Sequence, residues 1–95
     1  MVYRVASLGA MENALADPVL AFGQRLRTLR LARGLSQEQL AALAQLDRTY
    51  VSSCEAGRRN VTIRTIARFS LALGVDPSAL VSDLHSASAE ETPRP

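Results

Sequence analysis

The chain has few of the residues on which many protein classes depend. Its 95 residues include no tryptophan, two tyrosines, two phenylalanines, one cysteine and one histidine. A single cysteine excludes an intramolecular disulfide, which is consistent with a reducing cytosol. The scarcity of aromatic residues, beside abundant alanine and leucine, favours helix over sheet. Because the length suits one small domain, we predict an all-α fold around a single core.

Lysine is also missing, so all eleven cations are arginine. Nine of them lie between residues 22 and 68 beside only three acids, a local balance of +6. The rest of the chain has two arginines and six acids, a balance of −4. A basic middle between acidic ends indicates a surface for a polyanion. Arginine suits bidentate contacts with phosphate and guanine, although codon bias in a GC-rich genome explains its exclusive use equally well.

Features of a catalytic or metal site are not evident in the sequence. The only histidine, His85, lies at the edge of an acidic tail, and neither metal-ligand spacing nor a glycine-rich phosphate loop is present. We therefore predict a protein that is not an enzyme, with no catalytic residue, no metal and no cofactor. The apolar run at the start is too short for a secretory signal or a membrane span, so we expect a cytoplasmic protein.

Capping residues and apolar spacing predict a compact bundle of five short helices over residues 18–84. Residues 1–17 lack a clear period and are predicted to form a flexible arm, and the polar tail 85–95 is predicted to be disordered. The first helix begins at Pro18 and ends at Gly34. Ser36 and Gln39 form the capping box of the second helix.

The third helix is expected between Asp47, whose carboxylate should cap it, and Gly57. Only Gln45 and Leu46 separate it from the second helix, which predicts a sharp turn between the two. Thr62 and Gly74 bound the fourth helix, and Asp76 followed by Pro77 begins the fifth. The predicted inner face of the fourth helix consists of Ile63, Ile66, Ala67, Phe69 and Leu73.

Helical spacing divides the third helix into two faces. Val51 and Cys54 form the inner face, so Cys54 is predicted to be a core residue, with a redox-sensing thiol as the alternative. Glu55 lies on the same inner side and needs a partner there. Because Arg30 lies at the edge of the buried stripe of the first helix, we predict a partly buried Arg30–Glu55 ion pair. The outer face carries Thr49, Ser52 and Ser53, flanked by Arg48 and Tyr50, and such side chains are typical of a helix that reads the major groove.

Two segments carry a resemblance to a known family, RLRTLRLARGLSQEQLAALA and RTYVSSCEAGRRNVTIRTIARFSLALGV. Over about residues 22–82 the chain resembles the helix-turn-helix domain of the Cro and phage-repressor family, also called the xenobiotic response element family. The resemblance implies that Gln37 contacts phosphate and that bases are read by Arg48, Thr49, Ser52 and Ser53. Family structures also have an arginine–glutamate pair between the first and third helices.

Within that family, LDRTYVSS and the following RRNVTI look like the controller proteins of restriction-modification systems. This narrower resemblance implies that Arg48 and Thr49 approach bases, that Tyr50 lies at the sugar-phosphate backbone and that Asn60 holds phosphate. Arg58 and Arg59, in the same loop as Asn60, are further phosphate candidates. The chain departs from the family pattern in two ways, since Gln45 replaces a frequent glycine and Cys54 replaces a larger apolar residue.

Helix-turn-helix proteins of this size usually bind as two-fold dimers on half-sites about 34 Å apart. The predicted dimer surface consists of Leu71, Val75, Leu80, Val81 and Leu84; alternatively all five pack inside the monomer. We therefore expect a homodimeric transcriptional regulator of a (pseudo)palindromic DNA operator, most similar to a controller protein. The alternatives are an antitoxin-type or phage-type repressor and a helix-turn-helix module used only for protein contacts, and a contact with RNA polymerase stays open.

Overall fold

The computed structural model describes residues 17–84, which contain five α-helices and no strand. The helices are α1 (Pro18–Ala32), α2 (Gln37–Ala44), α3 (Arg48–Glu55), α4 (Ile63–Leu73) and α5 (Pro77–Val81). The all-α, five-helix prediction is confirmed. The predicted arm, apart from Asp17, and the predicted tail lie outside the described residues. Within the described part, none of the helices combines the length and the apolarity that crossing a membrane requires.

Side chains cap the beginnings of α2 and α4 as their sequences predict. Ser36 Oγ accepts a hydrogen bond from the Gln39 amide at 3.0 Å, and the Ser36 amide donates to Gln39 Oε1 at 2.8 Å. Thr62 Oγ1 accepts from the Thr65 amide at 3.1 Å. Each bond satisfies an amide that the helix itself leaves without a partner.

The beginning of α3 differs from the prediction. Asp47 occupies the capping position with an extended backbone, but its side chain accepts no hydrogen bond from the helix. The Tyr50 amide, which a side-chain cap would use, donates instead to the Asp47 backbone carbonyl at 3.0 Å. By contrast, Asp76 Oδ1 accepts from the Ser78 amide at 2.9 Å at the beginning of α5. The Asp47 carboxylate therefore stays in solvent.

All five helices contribute side chains to one core. The fully buried large side chains are Leu26 of α1, Leu40 of α2, Val51 and Cys54 of α3, Phe69 and Leu73 of α4, and Leu80 of α5. The two phenylalanines meet in this core, with 6.3 Å between the ring centroids of Phe22 and Phe69. The core therefore joins α3 to the other four helices along one side only.

The buried face of α4 differs from the predicted one. Phe69, Ser70 and Leu73 are buried, whereas Ile63 is 82% exposed and Ala67 is also exposed. At about 100° per residue, Ile63 projects about 120° and Ala67 about 160° from Phe69, so neither side chain can reach the core that Phe69 fills. Ser70 is tolerated in the core because its hydroxyl donates to the Ala67 carbonyl at 2.8 Å.

A buried glycine allows α1 and α3 to lie in close contact. A β-carbon at Gly23 would overlap the backbone carbonyl oxygen of Cys54 and lie 2.9 Å from that of Glu55. Any larger residue at this position would push α3 away from α1. In the sequence the only signal of this contact is an isolated glycine inside a helical pattern, which single-helix periodicity does not explain.

The turn between α2 and α3 carries a left-handed residue. Gln45 has φ 59° and ψ 47°, a conformation that glycine adopts with less strain. Arg68 of α4 donates from Nη1 to the Gln45 carbonyl at 3.2 Å. The turn is therefore in contact with α4 as well as with the two helices that it joins.

Candidate nucleic-acid interface

The outer face of α3 is polar and open to solvent. Arg48 and Thr49 are exposed, and Ser52 and Ser53 are partly exposed. In helical projection these four residues fall within an arc of about 140°. The opposite side carries the fully buried Val51 and Cys54. The structure thus brings the four predicted base-reading residues together on one accessible surface.

The Cys54 thiol belongs to the core and not to this surface. Its side chain is fully buried, and this burial raises its pKa from 9.0 to about 11. A hydrogen bond from Tyr50 and the charge of Arg59 oppose part of that rise in pKa. The thiol is therefore neutral near pH 7, which does not suit a nucleophile or a redox sensor.

Arg30 and Glu55 form a bidentate ion pair between α1 and α3. Arg30 Nε donates to Glu55 Oε2 at 2.6 Å and Nη2 donates to Oε1 at 2.9 Å. Their side chains are only 7% and 4% exposed, so the pair lies deeper than the partly buried pair that we expected. The hydrogen bond with Glu55 raises the pKa of Arg30 against the opposing effect of burial. Arg30 Nη1 also donates to the Leu35 carbonyl at 2.7 Å, just before α2.

Gln37, the predicted phosphate contact at the beginning of α2, also reaches this ion pair. Its Nε2 donates to Glu55 Oε1 at 3.0 Å. One carboxylate therefore connects α1, α2 and α3, a link that helix spacing alone does not indicate. A side-chain amide has two N–H donors, and this contact uses one of them, so a donor remains for a phosphate.

The loop after α3 continues the basic surface. Arg58, Arg59 and Asn60 are exposed. The Arg59 guanidinium lies over the Tyr50 ring, with 4.9 Å between its Cζ and the ring centroid. Tyr50 is half-buried and packs against the core. The structure therefore places the loop beside α3, and the Arg59–Tyr50 contact joins their side chains.

The five residues of the predicted dimer surface do not form one exposed patch. Leu71 is 83% exposed, and Val75, Val81 and Leu84 are half-buried against the core. Leu80 is fully buried in its own chain, which corrects its assignment to the surface. The fifth helix has only five residues, and Leu80 is the one that it buries in the core.

Metal-ligand side chains do not gather anywhere in residues 17–84, where no group of three or more histidine, cysteine, aspartate or glutamate residues lies together. In the same part of the chain every fully buried side-chain nitrogen or oxygen has a hydrogen-bond partner. The polar groups available to a ligand are therefore surface groups, among them those of α3 and its flanking loop.

Comparison with known proteins gives a consistent result. A family model described as a helix-turn-helix domain matches residues 21–84. Control protein C.BamHI from Bacillus amyloliquefaciens is 48% identical over 63 residues, which cover 65% of this chain and 78% of that protein. The crystal structure of the restriction-modification controller protein C.AhdI from Aeromonas hydrophila shares 52% identity at a TM-score of 0.64, covering 65% of this chain and 94% of that one.

A further solved structure contains DNA. The restriction-modification controller protein C.Esp1396I, a tetramer in complex with its natural 35-base-pair operator, is 31% identical at a TM-score of 0.64. The match covers 70% of this chain and 88% of that one.

Proposed function

The chain belongs to the helix-turn-helix domain family, and on that premise we propose that it is a transcriptional regulator that binds a double-stranded DNA operator sequence-specifically as a homodimer. One observation carries the proposal: the exposed face of α3 offers an arginine and three hydroxyls on one arc, at one end of a basic surface. Arginine to guanine, and hydroxyls to bases or phosphates, are the contacts that a helix makes in the major groove. The function is one of binding in the cytoplasm, without catalysis.

Each side chain receives a role from its position. Arg48 and Thr49 read bases at the beginning of α3, and Ser52 and Ser53 contact bases or phosphates one turn later. Tyr50 lies at the sugar-phosphate backbone. Phosphates are held by Gln37 on one side of α3 and by Arg58, Arg59 and Asn60 on the other, which fixes the register of α3 in the groove.

Similarity to two control proteins and to an operator complex supports a controller of a restriction-modification system within this family. An antitoxin-type or phage-type repressor would use the same surface of α3. The neighbouring genes separate these roles, because methylase and endonuclease genes indicate a controller and a toxin gene indicates an antitoxin.

We infer a dimer from the small size of the reading surface, which is the exposed face of α3 with Arg48, Thr49, Ser52 and Ser53. One short helix contacts too few bases for useful specificity. The surface available for it is the outer side of α4. Ile63, Ala67 and Leu71 recur every four residues on that side and are all exposed. Val75, Val81 and Leu84 expose only the parts of their side chains that the core leaves uncovered.

Selection of bound sequences from random DNA tests the function directly. We expect one (pseudo)palindromic sequence to be enriched, with an affinity that falls steeply as salt rises, because phosphate contacts release counterions. A chain that retards no DNA and shows no salt dependence would instead be a module for protein contacts.

Replacement of Arg48 by alanine tests the reading surface. Arg48→Ala should relax sequence preference at one base pair by about 1–3 kcal/mol. Arg27→Ala is the matched control, since Arg27 is an exposed arginine on α1 with no predicted base contact. An equal loss of affinity on specific and random DNA would make Arg48 a phosphate contact.

A further inference from the structure

The contact between Arg59 and Tyr50 joins two residues that the proposed function uses separately. The Tyr50 ring packs against the core, and the Arg59 guanidinium lies 4.9 Å from its centroid. The ring is thus held between the body of the protein and a cation. It lies at the boundary between the buried and the exposed face of α3, about 160° from Ser52 in helical projection.

The backbone of the loop brings Arg59 to this position. Gly57 turns the chain with φ +76°, and a β-carbon there would lie 2.9 Å from Leu20. The Arg58 amide then donates to the Ser53 carbonyl at 3.0 Å, which fixes the beginning of the loop against α3. Arg59 therefore follows two constrained residues, and its reach back over Tyr50 is supported by the geometry of the turn.

We propose that Arg59 is a positioning residue, whose guanidinium stacks on Tyr50 and holds its ring at the edge of the DNA-reading face of α3. The inference rests on the proposed function, in which Tyr50 lies at the sugar-phosphate backbone and helps to fix the orientation of α3, on which the base contacts of Arg48 and Thr49 depend. Arg59 then affects operator preference through Tyr50. A phosphate contact alone requires only a positive charge near the backbone and contributes equally on every DNA sequence.

These two roles predict different changes in the ratio of operator affinity to random-DNA affinity. Loss of a phosphate contact lowers both affinities and leaves the ratio unchanged. Loss of a residue that orients Tyr50 lowers the ratio, by about two- to fivefold if the full interaction of an exposed cation with a ring is lost. Arg58 is the matched control, since it is an exposed arginine in the same loop and has no contact with a ring among residues 17–84.

The experiment is a double-mutant cycle on the full chain. Arg59→Ala and Tyr50→Leu are made singly and together, and affinities for the selected operator and for random DNA are measured at one salt concentration. We expect Arg59→Ala to lower the ratio, and to have no further effect on it once Tyr50 is leucine. Arg58→Ala should lower both affinities and leave the ratio as in the wild type.

A second measurement needs no DNA. The chain has two tyrosines and no tryptophan, so Tyr3→Phe leaves Tyr50 as the only tyrosine. In that background Arg59→Ala should shift the ring resonances of Tyr50 in the NMR spectrum, and Arg58→Ala should leave them in place. A merely structural role of Arg59 in folding would move the melting temperature without this selective ring shift.

The outcomes separate the two proposals. If the wild type binds no DNA, the proposed function fails, and this inference fails with it. If the wild type binds its operator but Arg59→Ala lowers both affinities equally, or acts independently of Tyr50, Arg59 is only a phosphate contact and the inference alone is overturned. Unchanged ring resonances in Arg59→Ala would overturn it as well.

Discussion

At Gly23 the missing side chain determines how closely α1 and α3 pack. In an exposed helix, glycine to alanine stabilises by about 0.5–1 kcal/mol. At Gly23 we expect the opposite sign, a destabilisation of about 1–3 kcal/mol, because the β-carbon would meet the carbonyl oxygens of Cys54 and Glu55. Thermal melting of Gly23→Ala measures this. Thr28→Ala, at an exposed position of the same helix, should change the melting temperature little, and an increase for Gly23→Ala would contradict the close contact.

The buried Cys54 thiol makes stability depend on alkaline pH. Its folded pKa of about 11 lies above the ordinary value of 9.0, so the unfolded chain loses this proton first. The contribution of the neutral Cys54 thiol to the free energy of unfolding is complete below pH 9 and is lost as the pH rises to 11. The free energy of unfolding should therefore fall by about 2–3 kcal/mol over this range. Urea unfolding of the wild type and of Cys54→Ala at each pH checks this, and parallel profiles would contradict it.

The spacing of residues along the chain predicts which side chains face the core. It predicts less well which side chains of other helices they contact. The inward positions of Cys54, Arg30 and Glu55 follow from their distance to buried neighbours on the same helix. The hydrogen bond from Gln37 to Glu55 does not follow, because it depends on the angle between α2 and α3. The role of Gly23 likewise depends on the separation of two helix axes, which single-helix periodicity does not contain.

The Arg30–Glu55 pair connects the elements that carry the reading surface. Removal of one partner leaves the other charged and buried, so Glu55→Ala should cost on the order of 3–5 kcal/mol. Arg25→Ala is the control, because Arg25 and Asp83 form a partly exposed pair at 3.7 Å, and ion pairs near the surface contribute about 0–1 kcal/mol. Thermal melting compares the two variants. Similar melting temperatures would mean that the buried pair contributes no more than the exposed one.

Helix boundaries were predictable because caps and stop signals are local. Ser36, Thr62 and Asp76 all accept the expected hydrogen bonds. The inner face of α4 was less predictable, since both of its sides carry apolar residues. α4 has no single apolar stripe, because one side carries Ile63, Ala67 and Leu71 and the other carries Ile66, Phe69 and Leu73. Only the packing of Phe69 against the core decides which side is buried.

At the scale of the whole molecule, the apolar side of α4 left in solvent predicts self-association. Leu71→Asp should convert the proposed dimer into a monomer, because it places a charge in an apolar contact without disturbing the core of either copy. Leu71 is 83% exposed within its own chain, so the melting temperature of the monomer should change little. Sedimentation velocity distinguishes the two states. Ser82→Asp, at an exposed position beyond α5, is the control, and an unchanged dimer in Leu71→Asp would exclude this side of α4.

The contact between Arg68 and the Gln45 carbonyl has a consequence for the operator. Through it, α4 holds the turn in front of α3, and the same helix carries Leu71 one turn later, about 60° from Arg68 in helical projection. If two copies join along α4, the α3 helices of the two copies are connected by rigid helices and not by a flexible linker. One base pair inserted between the half-sites rotates them by about 34–36° around the duplex. Such a dimer has no hinge to follow that rotation, so it should measure the spacing of its half-sites to a single base pair.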